Sequence, residues 1–276
     1  MAENTREGNF ILKGIIHCHT KLSFDSQVPL SNLCEKLQRQ RFNFVALTEH
    51  TEGVTPEDYE RFVAECKRES SGTLIAIPGL EIRCNDGTEI AGIGISKFIE
   101  GGTPDEVVSQ IHNQGGYAVL VHPLKLRKWN GLPMDCDAIE VMNGKVEGTL
   151  APNIGLLRHV RKYRQRGKQI HAIFGLDSHG LDKAHYIWTE CEVSVLTSRG
   201  IIESLKKGQF ISRVLSGKVL SSGAVKTSDF IKFFTLRIAY IFWNKVLEVI
   251  PEPFLGLVIR LSRPVVGAIK RDELTR

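Results

Sequence analysis

Short, nearly continuous apolar runs alternate with helix-period segments along most of the chain. The first run, residues 11–16, ends in His17-Cys18-His19-Thr20. Residues 29–41 place Leu30, Leu33, Cys34 and Leu37 at helical spacing, which predicts a helix. Residues 42–47 read as a strand ending in Thr48-Glu49-His50. Thr55, with Pro56 at the first helical position and acids behind it, opens a helix to about residue 69. Strands are predicted over 74–77, ending in Pro78-Gly79-Leu80-Glu81, and over 90–95, preceded directly by Glu89. The capping box Thr103-Pro104-Asp105-Glu106 opens a helix that stops at Gly115-Gly116. Three further strands, 117–121, 138–142 and 170–174, run into His122-Pro123, Asn143-Gly144 and Gly175-Leu176-Asp177-Ser178-His179. A basic amphipathic helix over 156–167, a strand over 190–196 and a short helix over 201–207 complete the pattern.

Strand, polar turn, helix, repeated in this way, predicts parallel strands with both faces covered by helices. A barrel and an open doubly wound sheet both fit that pattern. The polar residues favour the barrel. His17 and His19, Glu49 and His50, Glu81, His122, and Asp177 and His179 all lie at or just past the C-terminal end of an apolar run. A barrel delivers those ends to one rim, whereas an open sheet spreads them along a line. Side chains alternate along a strand, so His17 and His19 share a face and Cys18 points the other way, into the core.

Composition narrows the setting. The 276 residues are 42% hydrophobic and 24% charged, with a formal net charge of +5, as in a globular protein that tolerates anionic substrates or surfaces. Six cysteines are scattered singly with no Cys-x-x-Cys, which suits reduced thiols inside a cell rather than disulfides. The polar N-terminus lacks the apolar core of a signal peptide, and no run is apolar for the length of a membrane span. The expected location is cytoplasmic. Residues 1–12 read as a tail, 13–220 as the main domain, and the Gly- and Ser-rich stretch 216–223 as a linker. Residues 224–276 follow as an amphipathic helical extension with aromatic residues and basic flanks. That extension reads either as helices packed on the barrel or a second subunit, or as a peripheral membrane contact.

Taken together, His17-Cys18-His19-Thr20, Asp25, Leu47-Thr48-Glu49-His50, Gly79-Leu80-Glu81, Val121-His122-Pro123 and Gly175-Leu176-Asp177-Ser178-His179 resemble the motif set of the PHP (polymerase and histidinol phosphatase) superfamily. The resemblance runs in motif order over residues 13–196. It implies an α/β fold, a distorted TIM-like (β/α)7 barrel, and a multinuclear metal site that hydrolyses phosphoesters. Carried onto this chain, it places His17, His19, Glu81 and Asp177 on a first metal. Glu81 bridges to a second metal with His122 and Glu89, and Asp25, His50 and His179 hold a third. Two positions depart from the family pattern. Glu49 stands where Asp is usual, which suggests a supporting role rather than ligation. Glu89 stands where His is frequent: it either ligates as a carboxylate or leaves the second metal weak, as an exposed acid of the Asp86-Gly87-Thr88 turn.

A mixed set of imidazoles and carboxylates suits two or three divalent ions of manganese, zinc or iron better than magnesium. Such ions would activate a hydroxide for attack on phosphorus. His17, His19, Glu81, His122, Asp177 and His179 are the expected catalytic set. Lys21, Arg83, Lys125, Arg127 and Lys145 lie just beyond the ligand-bearing strand ends and would make a mouth that favours anions. Arg83, Lys125, Arg127 and Asn143 are the expected substrate contacts. The reading is a metal-dependent phosphoesterase acting on a phosphorylated small molecule or nucleotide, with a phosphomonoester preferred. The alternatives are a nuclease or nucleotide phosphodiesterase, and a catalytically weak metal-bound docking module tethered through its C-terminal helices.

Overall fold

The structure is a computed structural model that describes residues 7–71, 73–123, 135–180 and 186–249. The elements follow in chain order. The first part holds β1 (Glu7–Cys18), α1 (Leu30–Arg39), β2 (Phe44–Leu47), β3 (Glu49–His50), α2 (Pro56–Glu69), β4 (Ile75–Ile77), β5 (Gly79–Arg83) and β6 (Glu89–Ile93). Then come α3 (Pro104–Asn113), β7 (Tyr117–Leu120), β8 (Ala138–Asn143), α4 (Ile154–Gln165), β9 (His171–Gly175) and β10 (Ile187–Val195). The chain continues with α5 (Ser198–Lys206), β11 (Phe210–Val214), β12 (Gly217–Leu220) and α6 (Thr227–Val249). Thr103 forms the predicted capping box at α3 with Glu106, and Thr55, expected as a simple N-cap of α2, closes a capping box with Asp58. A cap of this kind contributes about 1 kcal/mol.

The strands form two six-stranded sheets, β12-β11-β10-β1-β2-β4 and β3-β5-β6-β7-β8-β9. Pairing is parallel for β1–β2–β4, β3–β5 and β7–β8–β9, as expected. It is antiparallel for β5–β6, β6–β7 and the run β1–β10–β11–β12, which corrects the all-parallel expectation. The fold is therefore mixed α/β with two mixed sheets, and this pairing does not by itself show a closed seven-stranded barrel. The sheets are nonetheless tied where β9 runs beside β1. Leu176 and Asp177 donate backbone bonds to Ile16 and His17, and His19 donates to Ser178.

Alternation along the strands splits the apolar residues into two clusters. Ile15, Val45, Leu47 and Leu80 pack with residues of α1 and α2 such as Leu37 and Tyr59. Ile16, Phe44, Ala46, Ile77, Ala91, Val119 and Ile173, drawn from both sheets, pack with one another and with Ile201 and Leu205 of α5. Gly14 is required here, because a Cβ at that position would lie 2.3 Å from the Phe44 ring. Two boundaries differ from expectation. β1 begins at Glu7, inside the expected tail, because Glu7–Gly14 pair with β10. The expected linker holds β12, hydrogen-bonded to β11. α6 lies against the main body through Phe233, which is fully buried, and through Arg237, 3.4 Å from Glu147. The second apolar run, 254–269, lies outside the described residues.

Candidate metal centre

The strand ends carry the chemistry to one place. His17 is the last residue but one of β1 and His19 follows the strand; His50 ends β3; Glu81 lies within β5; Asp177 and His179 follow β9. His122 comes just after β7. Glu89 reaches the same rim from the start of β6, because that strand runs antiparallel and pairs Glu89 with Arg83. The backbone bends sharply at three of these positions. His17, His122 and Asp177 adopt φ of 67°, 27° and 50°. Non-glycine residues rarely take up such angles, at a cost of about 1–2 kcal/mol each. Neighbours hold them there: Asp177 N–H donates to the His17 carbonyl at 2.7 Å, and His122 N–H donates to Glu140 at 2.7 Å.

Glu81 is the hub. Its Oε1 stands 2.6 Å from His122 Nε2. Its Oε2 faces His17 Nε2 at 3.2 Å, His19 Nε2 at 3.3 Å and His50 Nδ1 at 3.5 Å. Asp177 Oδ1 lies 3.8, 3.5 and 3.5 Å from His17, His19 and His179. Asp25 faces His179 at 2.8 Å and His50 at 3.6 Å. Three groups bring their ligand atoms within 4.8 Å of one another: His17-His19-Asp177, His17-Glu81-His122 and His19-His50-His179.

Supporting residues fix these rings. Glu140, buried within β8, accepts from His17 Nδ1 at 2.8 Å, from the His122 backbone and from Asn143 Nδ2 at 2.9 Å. Glu49 accepts from the backbone of Thr20 and Ser23 and from the Ser23 hydroxyl at 2.6 Å. It thereby shapes the loop between His19 and Asp25. Asn143 is buried, with its amide on Glu140 and its carbonyl on the N–H groups of Lys145 and Val146. These bonds cap the turn after β8. Glu89 divides its carboxylate between Arg83 at 2.7 Å and His122 Nδ1 at 3.3 Å. Arg83, 60% exposed, also reaches Glu52 at 3.5 Å. Lys145 Nζ approaches Asp25 at 3.4 Å and His179 at 3.2 Å. Lys125 and Arg127 lie outside the described residues.

The electrostatics suit cations. Burial opposes charge on His17, yet Glu140, Glu81 and Asp177 drive its pKa well above the ordinary imidazole value. Burial likewise opposes ionisation of Glu81 and Asp177, but His17 and its neighbours hold both well below the usual carboxylate range. Burial and the adjacent His19 push His179 down to about 4. His19 Nε2, fully buried, has no hydrogen-bond partner among the described residues. An orphaned imidazole nitrogen facing two ionised carboxylates is a donor set that fits a divalent metal. Sequence reasoning missed Glu140. The signal was present as one acid inside the apolar run of β8.

The PHP domain family model matches residues 16–182. An uncharacterized protein of Methanocaldococcus jannaschii is 27% identical over 173 residues, spanning 56% of this chain and 95% of that protein. A two-domain protein of Bacteroides vulgatus, containing a predicted PHP-like metal-dependent phosphoesterase, superposes with a TM-score of 0.57 at 17% identity. That match covers 85% of this chain and 74% of the other. The lesion-specific endonuclease PfuEndoQ of Pyrococcus furiosus superposes with a TM-score of 0.53 at 12% identity, over 72% of this chain and 56% of its own. These two superpositions show a shared fold.

Proposed function

The chain belongs to the PHP domain family, and from that premise we propose that it is a metal-dependent phosphoesterase that prefers a phosphomonoester. The observation that carries this reading is Glu81, whose two oxygens face four imidazoles between 2.6 and 3.5 Å. A carboxylate so placed is disposed to bridge two cations. His17, His19 and Asp177, with one oxygen of Glu81, would hold one ion; the other oxygen of Glu81 and His122 a second; and His50 and His179, with Asp25 beside them, a third. Bound divalent ions supply Lewis acidity toward a phosphate ester and lower the pKa of water.

The chain's own residues do the rest. Glu140 holds the Nδ1 proton of His17 and so turns its Nε2 toward Glu81 and Asp177. Glu89 does the same for His122 through Nδ1, which leaves Nε2 on Glu81. Glu89 thus serves as the orienting acceptor of His122 through one oxygen, while Arg83 holds the other at 2.7 Å. Lys145, 45% exposed beside Asp25 and His179, presents a cation at the mouth where a phosphate oxygen would enter.

The test is hydrolysis of p-nitrophenyl phosphate, bis(p-nitrophenyl) phosphate and a short oligonucleotide, with and without chelator. Chelator-sensitive hydrolysis, fastest on the monoester, is expected. Rates no higher than those of the Asp177→Ala/His179→Ala variant on every substrate would overturn the proposal. A preference for the oligonucleotide would replace the monoester reading with a nuclease.

A further inference from the structure

α6 has two apolar faces, and among the described residues only one packs against the body. Phe233 is buried against the body and Leu236 packs on the same core. On the other side Phe230, Ile231, Phe234, Ile238 and Phe242 are 37–67% exposed. Their spacing sets them along one stripe of the helix. Isolated exposed apolar residues are ordinary, but five large ones in one stripe mark a contact surface.

A groove of about 350 Å³ opens at the foot of this stripe, between α4 and the start of α6. Ile154, Leu157, Val225 and Phe230 make apolar walls, and Arg158 and Arg161 flank them. Both arginines are exposed, and neither pairs with a carboxylate among the described residues. Among the described residues no acid lines the groove. Asp229, the acid of the first turn of α6, is committed to the Lys218 backbone at 3.3 Å and to Lys232 at 3.9 Å. The charge of the whole segment points the same way. Residues 224–276 hold nine lysines and arginines against five acids, so four of the chain's five net positive charges fall there.

We propose that the exposed stripe of α6 and the arginine-flanked groove beside it form a docking surface for a bilayer containing anionic phospholipid. The aromatic and aliphatic stripe enters the boundary between headgroups and acyl chains, and Arg158 and Arg161 meet headgroup phosphates. No described helix is long and apolar enough to cross a membrane, so the contact is made along the surface. A second copy of the chain would bury the stripe but leave the unpaired arginines without a counter-charge. This inference does not rest on the phosphoesterase reading, since none of its residues belongs to the metal centre.

The test is flotation of the full chain with vesicles of phosphatidylcholine alone and of phosphatidylcholine with phosphatidylserine. Three proteins are compared: the wild type, Arg158→Ala/Arg161→Ala and Phe234→Ser/Ile238→Ser. Wild-type protein should float with the anionic vesicles only, less at high salt, and each double variant should partition roughly tenfold more weakly. Unchanged far-ultraviolet circular dichroism in the variants shows that they fold. The proposal is overturned by equal binding to neutral vesicles, by unaltered binding of folded variants, or by displacement with millimolar inorganic phosphate, which would assign the arginines to free phosphate. It is also overturned if wild-type protein is a dimer that Phe234→Ser/Ile238→Ser converts to monomer and that fails to float.

Discussion

The Glu140 carboxylate accepts a 2.8 Å hydrogen bond from Nδ1 of His17, across 123 residues of sequence. The same carboxylate takes the backbone N–H of His122. One buried acid therefore fixes a ring on β1 and a backbone turn after β7. Glu140→Gln keeps the volume and removes the charge. Outer partners of metal-bound histidine typically influence affinity by about 10–100-fold. The variant should fold normally and lose metal affinity by roughly that factor, as read by titration with a chromophoric chelator. Unchanged affinity would remove Glu140 from the account.

Gly175 lies where a side chain would collide with that acid. A Cβ there would stand 1.6 Å from Glu140 Oε1 and 3.1 Å from the His17 Cβ. Gly175→Ala should destabilise the fold by about 2–4 kcal/mol in urea unfolding. The surviving folded protein should show the same loss of metal affinity as Glu140→Gln. Wild-type stability in this variant would contradict the close approach.

His171 makes stability depend on pH. Burial pushes its pKa down to about 4, and Tyr117 OH lies 3.0 Å from Nδ1. In the unfolded chain it would titrate near 6.5. Below that pH the unfolded state binds a proton that the native state refuses, so stability falls as pH drops from about 6.5 to about 4 and is level above it. The loss attributable to this residue is on the order of 2 kcal/mol. Urea unfolding at pH 7.5 and pH 4.5 should show that difference between wild type and His171→Gln. Equal pH dependence in the two would refute it.

The six cysteines are free and buried. Burial pushes the thiols of Cys34, Cys84 and Cys136 up to about 12, and those of Cys18, Cys66 and Cys191 higher still. Thiolate is the reactive form. An aromatic disulfide reagent should therefore find no fast-reacting thiol in the native protein and all six after denaturation. Rapid labelling of a native thiol would show that its element opens.

The candidate metal centre was legible in the sequence where a His, Asp or Glu ends an apolar run. His17, His19, His50, Glu81, His122, Asp177 and His179 all follow that rule, and Asp25 came from the family resemblance. Glu140 escaped because it interrupts a run instead of ending one, and its partner lies on a distant strand. The antiparallel pairing of β5 and β6 had a signal that went unread. Asp86-Gly87, with Gly87 at φ 84°, sits between two apolar stretches as a hairpin turn does. β11 and β12 were hidden by composition: Arg213, Gly217 and Lys218 resemble a loop until β10 pairs with β11 and β11 in turn with β12.

The central claim is that Glu81 gathers more than one metal ion. The direct measurement is metal content per chain by mass spectrometry, after dialysis against manganese or zinc and gel filtration, for wild type and Glu81→Gln. The account predicts more than one ion per wild-type chain and a clear loss in the variant. Trace metal in the wild type, or equal content in the two proteins, would contradict it.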